Sequence, residues 1–571
     1  MKRLNRILVA AAMACSTISV NAGPVVPGVW RDITLADGTQ VHAQLRGDEY
    51  GSFWQDADGT CYSLKENTSD RYVKADLSKL VLQSNELRRA ANVARAQARK
   101  SPSKVGKPTG PTTGKQKGII IMVQYKDTKF STGYNQKFVN GYVNGPMTKS
   151  HTARGFVGTV KDYFLAQSNG QFELDFDIVG PYTLSREYSY YGADQGSTHD
   201  IHRGAMILEA VKAADADVNY ADYDWDGDGY VDQVYVLFAG HGQADGSDNN
   251  TIWPHESQLS NSELRSSYPT QDTDASGNRV VVNTYACGPE LLLSKRAGIG
   301  TLCHEFSHCL GYPDMYDVQY SGNMGMGMWD IMDQGSYNSD SFCPPNYTAY
   351  EKWFAGWIEP TVLDKPATVK GVQAQDVNYG QTFVVYNDAH KDEYYLIENR
   401  QNNVGVWDTG LPASGMMISH VDYDANIWSW NYVNTPANYT NLKNDHERLT
   451  IFCADNDRVS VSGYTSPAGD LYPYNGNDEL TDTSSPAAVI YNGGKFMGKP
   501  ITKITKNADG TMDFLFMGGD DNNVIAGIGG ITVNAKSADK RVFSLDGRYL
   551  GTDINAVGSG VFVQGGKKIV K

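Results

Sequence analysis

The stretch Gly300–Asp317, GTLCHEFSHCLGYPDMYD, sets two histidines four residues apart, a glutamate beside the first, and a glycine and an aspartate downstream. Four residues of α-helix turn the chain by about 400°, so His304 and His308 project from one face about one turn apart, close enough to share an ion. Two imidazoles at this spacing suit zinc. Gly311 favours the left-handed conformation that ends a helix, which lets the chain fold back and bring Asp314 to the same ion. Three protein ligands leave a fourth position open, the mark of a hydrolytic rather than a structural zinc. Glu305 is placed to take a proton from a zinc-activated water without binding the metal, then to hand it to the leaving amine as the peptide bond breaks. The rival reading, from another class, is a catalytically silent surface adhesin or glycan-binding protein on the same scaffold. The intact set His304, Glu305, His308 and Asp314 favours turnover.

A second acidic motif, DWDGDGYVD, puts Asp224, Asp226, Asp228 and Asp232 at positions one, three, five and nine of a calcium loop, with Gly229 at the sixth and the Tyr230 carbonyl at the seventh. Tyr235 stands where the bidentate glutamate of an EF-hand belongs, so the loop is EF-hand-like only. An unliganded acidic turn is the alternative, but four carboxylates this close repel one another without a cation, so a structural Ca2+ is expected. His241, Asp245 and His255 form a weaker metal candidate; loop histidines bonded to backbone are the commoner outcome. His420 and Asp422 alternate onto one strand face as a structural pair, and Glu398 is expected to pair with Arg400 or a backbone group. Tyr337 is either an oxyanion donor or an ordinary loop tyrosine. Cys61 is either a thiolate latch on the zinc or a buried thiol.

The elements that must carry these groups are legible from patterning. Residues 1–22 have three early cations, an apolar run and a small-x-small end at Ala22, the pattern of a secretory signal peptide. No apolar run reaches the roughly 18 residues of a membrane span. The net charge of −15 becomes −18 without the three cations of the leader, which argues against nucleic acid and anionic membranes as partners; protein or peptide substrates are expected from the zinc site instead. Six cysteines follow the leader, in a compartment that permits disulfides, and sequence does not choose among their pairings.

After a turn-rich β unit and a basic helix over 80–100, the Pro/Gly/Lys/Ser/Thr-rich run 100–118 reads as an exposed linker. IIIMVQY over 119–125 opens a larger domain as a buried strand, and mixed helices and strands continue to about Trp357. Beyond it, short strands between Gly/Asn/Asp turns suggest a β-sandwich. The expected organisation is leader 1–22, prosegment and linker 23–117, zinc peptidase domain 118–360, β-rich domain 361–518 and C-terminal β tail 519–571.

HEFSHCLGYPDMYD and WDIMDQG resemble the metzincin clan, in which a methionine turn lies beneath the zinc; Met332 would be that methionine. With DWDGDGYVD, FLAQSNGQFELDFDIVGPYTLS and YEKWFAGW, the chain more closely resembles the immune inhibitor A family of secreted bacterial metallopeptidases, over roughly residues 27–517. That resemblance implies an α+β zinc endopeptidase (EC 3.4.24 type) made as a zymogen, with a β-rich downstream domain. Ser307 stands where the family commonly has glycine, with little effect expected. The tail, with VFSLDGRYLG and GVFVQGGKKIVK, resembles the sorting domains of type IX secretion substrates, implying secretion machinery as a partner and an extracellular or surface-attached protein.

Overall fold

The computed structural model describes residues 20–98, 105–195, 199–377, 380–462, 466–526 and short stretches between 542 and 570. Most of the leader and most of the C-terminal tail lie outside the described residues, although four short strands of the tail, Val542–Ser544, Tyr549–Gly551, Val561–Gln564 and Lys567–Val570, pair as one sheet.

The central sheet is built on the apolar run foreseen at 119–125. Ile119 to Val123 are fully buried, because the sheet has a core on each face: the even-numbered residues face Tyr163, Phe306 and Met332, the odd-numbered ones face Met206, Ile207 and Val211. Gly114–Gln124 pairs in parallel with Phe172–Thr183 on one side and with Tyr235–His241 on the other, and Tyr235–His241 pairs in parallel with Thr284–Leu292. The direction then reverses: His255–Gln258 runs antiparallel to Thr284–Leu292. Helix Gly300–Leu310 crosses beneath, buried along almost its whole length. Its first residue admits no side chain, since a Cβ on Gly300 would lie 1.9 Å from the Ser336 carbonyl oxygen.

The exposed linker expected over 100–118 is only partly so. Residues 99–104 lie outside the described set, but Val105 is buried, its carbonyl accepting from the Tyr350 hydroxyl at 2.7 Å, and the Thr109 amide donates to the Leu310 carbonyl at 3.1 Å. The strand begins at Gly114, because backbone pairing with Phe172–Thr183 compensates for the polar side chains of Lys115 to Lys117.

Ahead of the linker, five strands from Trp30–Thr34 to Tyr72–Ala75 form an antiparallel sheet, followed by helix Leu77–Ala98. This N-terminal unit packs on the peptidase segment: the Tyr320 hydroxyl donates to the Gly47 carbonyl at 2.6 Å, and Asn249 donates to the Tyr72 hydroxyl at 2.7 Å. Downstream, a five-stranded and a four-stranded sheet enclose one apolar core that includes Val369, Phe383, Ile397, Ile418, Met512 and Phe516.

His420 in this downstream unit does not take Asp422 as its partner. Alternate residues of a strand share a face, and on that face a residue diagonal across the ladder is within side-chain reach as readily as the residue two along; His420 stands opposite Tyr395, and Glu393 opposite Asp422. His420 Nε2 therefore meets Glu393 at 2.9 Å, while Asp422 pairs with Arg448 at 2.8 Å and His446 at 3.0 Å. Glu393 also accepts from the Tyr491 and Asn492 amides at 2.6 and 3.0 Å. Burial alone would raise its carboxyl, but His420 and these amides outweigh burial and hold it down at about 2. A carboxylate depressed in the folded state stabilises fully above its ordinary pKa of 4.5, and that contribution is lost as pH falls toward 2. Glu393→Gln is expected to cost about 1–3 kcal/mol at pH 7 and less at pH 3, read from urea midpoints at the two pH values.

Candidate active site

The Gly300–Leu310 helix brings its two histidines together as the four-residue spacing requires. His304 Nε2 and His308 Nε2 lie 3.2 Å apart, and both residues are fully buried. Each ring is oriented from behind: Nδ1 of His304 donates to the Ile331 carbonyl at 2.7 Å and Nδ1 of His308 to the Tyr312 carbonyl at 2.8 Å. Anchoring Nδ1 in this way turns Nε2 toward a common point. Gly311 ends the helix at φ 110°, as its position predicted, and the chain returns to set Asp314 Oδ1 3.2 Å from His308 Nε2 and 3.5 Å from His304 Nε2. The other oxygen, Oδ2, is held by Asn431 Nδ2 at 2.7 Å, while the Asp314 amide donates to Asn431 Oδ1 at 2.6 Å.

These distances allow a direct test of whether the residues fit zinc. Tetrahedral ligands at bond lengths of about 2.0–2.1 Å lie about 3.3–3.4 Å from one another. The three atoms here form a triangle with edges of 3.2, 3.2 and 3.5 Å. Asp314 Oδ1 is buried, and the groups that face it are the two imidazole nitrogens. A buried carboxylate oxygen facing two imidazole nitrogens across this spacing is what a cation would satisfy.

Glu305 sits beside the triangle, with ligand atoms of His304, Glu305 and His308 all within 4.8 Å of one another. Its Oε1 accepts the Gly23 amide at 2.8 Å, and its Oε2 is buried without a partner. Burial pushes the Glu305 carboxyl up to about 8, against the opposing pull of His304 and the Gly23 amide. Burial lowers His304, but the hydrogen bond to Asp314 and the charge of Glu305 more than reverse this and carry it to about 9. Asp314 moves the other way: burial would raise it, yet His308 and His304 hold it below the ordinary carboxylate range. The raised imidazole and the lowered Asp314 carboxyl express one mutual attraction, between Asp314 and the two histidines that face it.

Met332 is fully buried beneath the ligands and is tied into them through backbone: the Met315 amide donates to its carbonyl at 2.8 Å, and the preceding carbonyl, Ile331, is the one that holds His304. Ser307 turns its hydroxyl to the Cys303 carbonyl at 2.5 Å and to the Tyr347 hydroxyl. Tyr337 reaches the site, its hydroxyl donating to the Pro24 carbonyl at 2.7 Å. Cys61 does not: its sulfur lies against Gln55 and Gly59 within the N-terminal sheet, so the group this unit extends to Glu305 is the backbone of Gly23. Sequence reading missed Asn431, which lies 117 residues beyond Asp314 and carries no motif.

In the acidic loop, ligand atoms of Asp224, Asp226 and Asp232 lie within 4.8 Å of one another; Asp228 is outside that group. Asp224 accepts the Gly227, Asp228 and Gly229 amides at 2.9, 3.1 and 3.0 Å, and Gly227 and Gly229 take φ of 75° and 88° that glycine alone adopts freely. Burial pushes Asp232 up to about 7, and the charges of Asp226, Asp224 and Asp228 add to it. The strand expected after the loop is present as Tyr235–His241, and Tyr230 forms a backbone bridge to Val281. The weaker metal candidate does not assemble. His241 pairs with Asp245 at 2.8 Å, while His255 is fully buried between the Trp253 carbonyl at 2.6 Å and the Tyr285 hydroxyl at 2.9 Å.

A buried H-E-x-x-H helix under a mixed sheet, with an aspartate returning to its two histidines, is the arrangement of metallopeptidase domains. Residues 121–358 match the family model for the catalytic domain of immune inhibitor A peptidase M6. The chain is 24% identical over 300 residues to Immune inhibitor A of Bacillus thuringiensis subsp. alesti, covering 45% of this chain and 43% of that protein. It is also 24% identical over 224 residues to the Pre-pro-metalloprotease PrtV of Vibrio cholerae serotype O1, covering 36% of this chain and 24% of that protein. The matched segment spans less than half the length of either relative. No helix among the described residues is long and apolar enough to cross a membrane.

Proposed function

We propose that the chain is a secreted zinc-dependent endopeptidase made as a zymogen, in which His304, His308 and Asp314 hold the metal and Glu305 is the general base. The observation that carries this reading is the triangle of His304 Nε2, His308 Nε2 and Asp314 Oδ1, with edges of 3.2–3.5 Å and an acid beside it. Zinc bound there would supply Lewis acidity toward water and the peptide carbonyl. The chain's own residues do the rest. Ile331 and Tyr312 fix the imidazoles and Asn431 orients the aspartate. Glu305, whose Oε2 has no partner, accepts a proton from water and gives it to the departing nitrogen. Its position against the Gly23 amide is the position such a nitrogen would take. The N-terminal unit, lying over the cleft, acts as the prosegment, and Met332 supports the ligands from below.

The processed protein, freed of its prosegment, is expected to carry one zinc per chain and to degrade casein in a chelator-sensitive way. Casein cleavage that persists after the metal is removed, or protein that takes up no zinc, would overturn the reading. Secretion, and surface attachment through the tail, rest on the sequence patterns of the two ends.

The acidic loop is proposed to hold a structural Ca2+ through Asp224, Asp226 and Asp232, with Asp228 and the Tyr230 carbonyl completing the loop as the sequence pattern expects. Calcium at about 100 times its dissociation constant should stabilise the protein by about 2.7 kcal/mol. The check is a melting temperature that rises with calcium in the parent protein and does not respond in Asp226→Asn.

A further inference from the structure

The segment from Val20 to Val26 lies along the cleft as a bound polypeptide would. Val20–Ala22 adds a strand to His255–Gln258, antiparallel, with Ala22 opposite His255. Without that addition His255–Gln258 is the outer strand of the sheet, and an outer strand is the surface to which an extended peptide adds through its backbone. Gly23 then crosses the site: its amide donates to Glu305 Oε1 at 2.8 Å and its carbonyl accepts from the Trp253 indole at 3.1 Å. A Cβ on Gly23 would lie 3.3 Å from Glu305 Oε1 and 3.7 Å from His304 Cδ2, so glycine lets the backbone pass close to the acid. Beyond it the Tyr337 hydroxyl donates to the Pro24 carbonyl at 2.7 Å, and the Val26 amide donates to the Ala244 carbonyl at 3.0 Å. These are main-chain contacts, which any sequence could make.

Side chains are read on the far side of Glu305. Val25, Val26 and Val29 are buried in one apolar cluster to which the peptidase segment gives Ala244, Trp253, Leu292, Ala297 and Tyr337, and the N-terminal unit gives Ile33, Leu45 and Trp54 among others. We propose that residues 20–26 of the precursor trace the path of the substrate chain, Gly23–Val26 being the part that outlasts the leader, and that the wall formed by Trp253, Leu292, Ala297 and Tyr337 is a specificity subsite for branched aliphatic side chains. The side chains it selects lie two and three residues beyond the one whose nitrogen faces Glu305, the places of Val25 and Val26. The subsite rests on the peptidase reading and extends it: the substrates are polypeptides with aliphatic pairs at those places. Apolar pockets of this kind discriminate about 10–200-fold.

The test compares the full chain with its Val25→Asp/Val26→Asp form on internally quenched peptides that differ only at those two places. The double variant, its own segment weakened on the wall, should cleave the Val-Val peptide about tenfold faster than the unaltered chain does. It should also cleave that peptide at least tenfold faster than the Asp-Asp peptide, and Trp253→Ala in the same background should bring the ratio below threefold. Equal cleavage of the two peptides, or cleavage of casein with neither peptide cut, overturns the subsite and leaves the peptidase reading standing. If casein is untouched even by the protein freed of its N-terminal unit, the peptidase reading falls, and binding decides the subsite separately. Labelled Gly-Pro-Val-Val-Pro titrated into the double variant should saturate its anisotropy where Gly-Pro-Asp-Asp-Pro does not, and equal binding, or none, overturns it.

Discussion

Replacing Glu305 by glutamine is expected to lower casein hydrolysis by about 10²–10⁴-fold while leaving the metal content of the protein unchanged. The substitution keeps the shape of the side chain and an oxygen able to accept the Gly23 amide, now 2.8 Å from Oε1. It removes the capacity to accept a proton, which is the whole of the role assigned to Glu305. His304, His308 and Asp314 are oriented by Ile331, Tyr312 and Asn431, so zinc retention should not follow activity down. The two readouts together separate a base from a ligand: a ligand would lose metal and activity in parallel. Glu305→Gln that retains activity within a few-fold of the parent would remove Glu305 from the chemistry, and with it the advantage of the peptidase reading over the silent-scaffold alternative.

Much of this site could be read from sequence because it is local. His304, Glu305, His308, Gly311 and Asp314 occupy eleven consecutive positions, and helical geometry fixes their relative directions without reference to the rest of the chain. The same holds for the glycines of the acidic loop, whose positive φ follows from the turn itself. Asn431 was illegible for the opposite reason. It reaches Asp314 only because the downstream unit folds over the peptidase segment, and a single asparagine offers no periodicity or spacing to detect. Gly23 and Tyr337 meet at the cleft across more than 300 residues, so their proximity is likewise a property of topology rather than of pattern.

Strands of the central and downstream sheets were visible where burial on both faces left apolar runs, as at Ile119–Val123, or where the pleat left short apolar segments between turns, as at Met512–Phe516. Their ends were not. Lys115–Lys117 read as linker yet are strand, because ladder hydrogen bonds are indifferent to side-chain polarity. His420 was assigned to the nearer residue in sequence, Asp422, although the closer partner in space is across the ladder at Glu393. Patterning reports which residues are buried; it does not report which strand lies next to which.

Arg400 joins the two parts of the molecule, and its removal is expected to have the largest effect on stability. Its side chain is fully buried. Nε donates to Asp408 Oδ2 at 2.7 Å and Nη2 to Asp408 Oδ1 at 2.8 Å, a fork that matches the carboxylate, and Glu398 lies 4.0 Å away, as the sequence had suggested. The remaining donors reach the Trp329 and Asn346 carbonyls at 3.2 Å each, on the chain that leads into and out of the methionine turn. Arg400→Met fills the space but strands Asp408 as a buried, uncompensated charge, at a cost of about 3–5 kcal/mol. Removing both charges, in Arg400→Met/Asp408→Leu, should recover most of that loss, because the pair contributes less than the penalty for breaking it. Arg400→Lys keeps the charge but cannot form the fork, and should fall between the two. Urea midpoints of the four proteins measure this order. Activity should not follow it completely: the double variant regains stability while the Trp329 and Asn346 carbonyls stay without their guanidinium, so its casein hydrolysis should remain below that of the parent. A double variant as active as the parent would show that Arg400 holds the domains together without positioning the turn beneath the metal ligands.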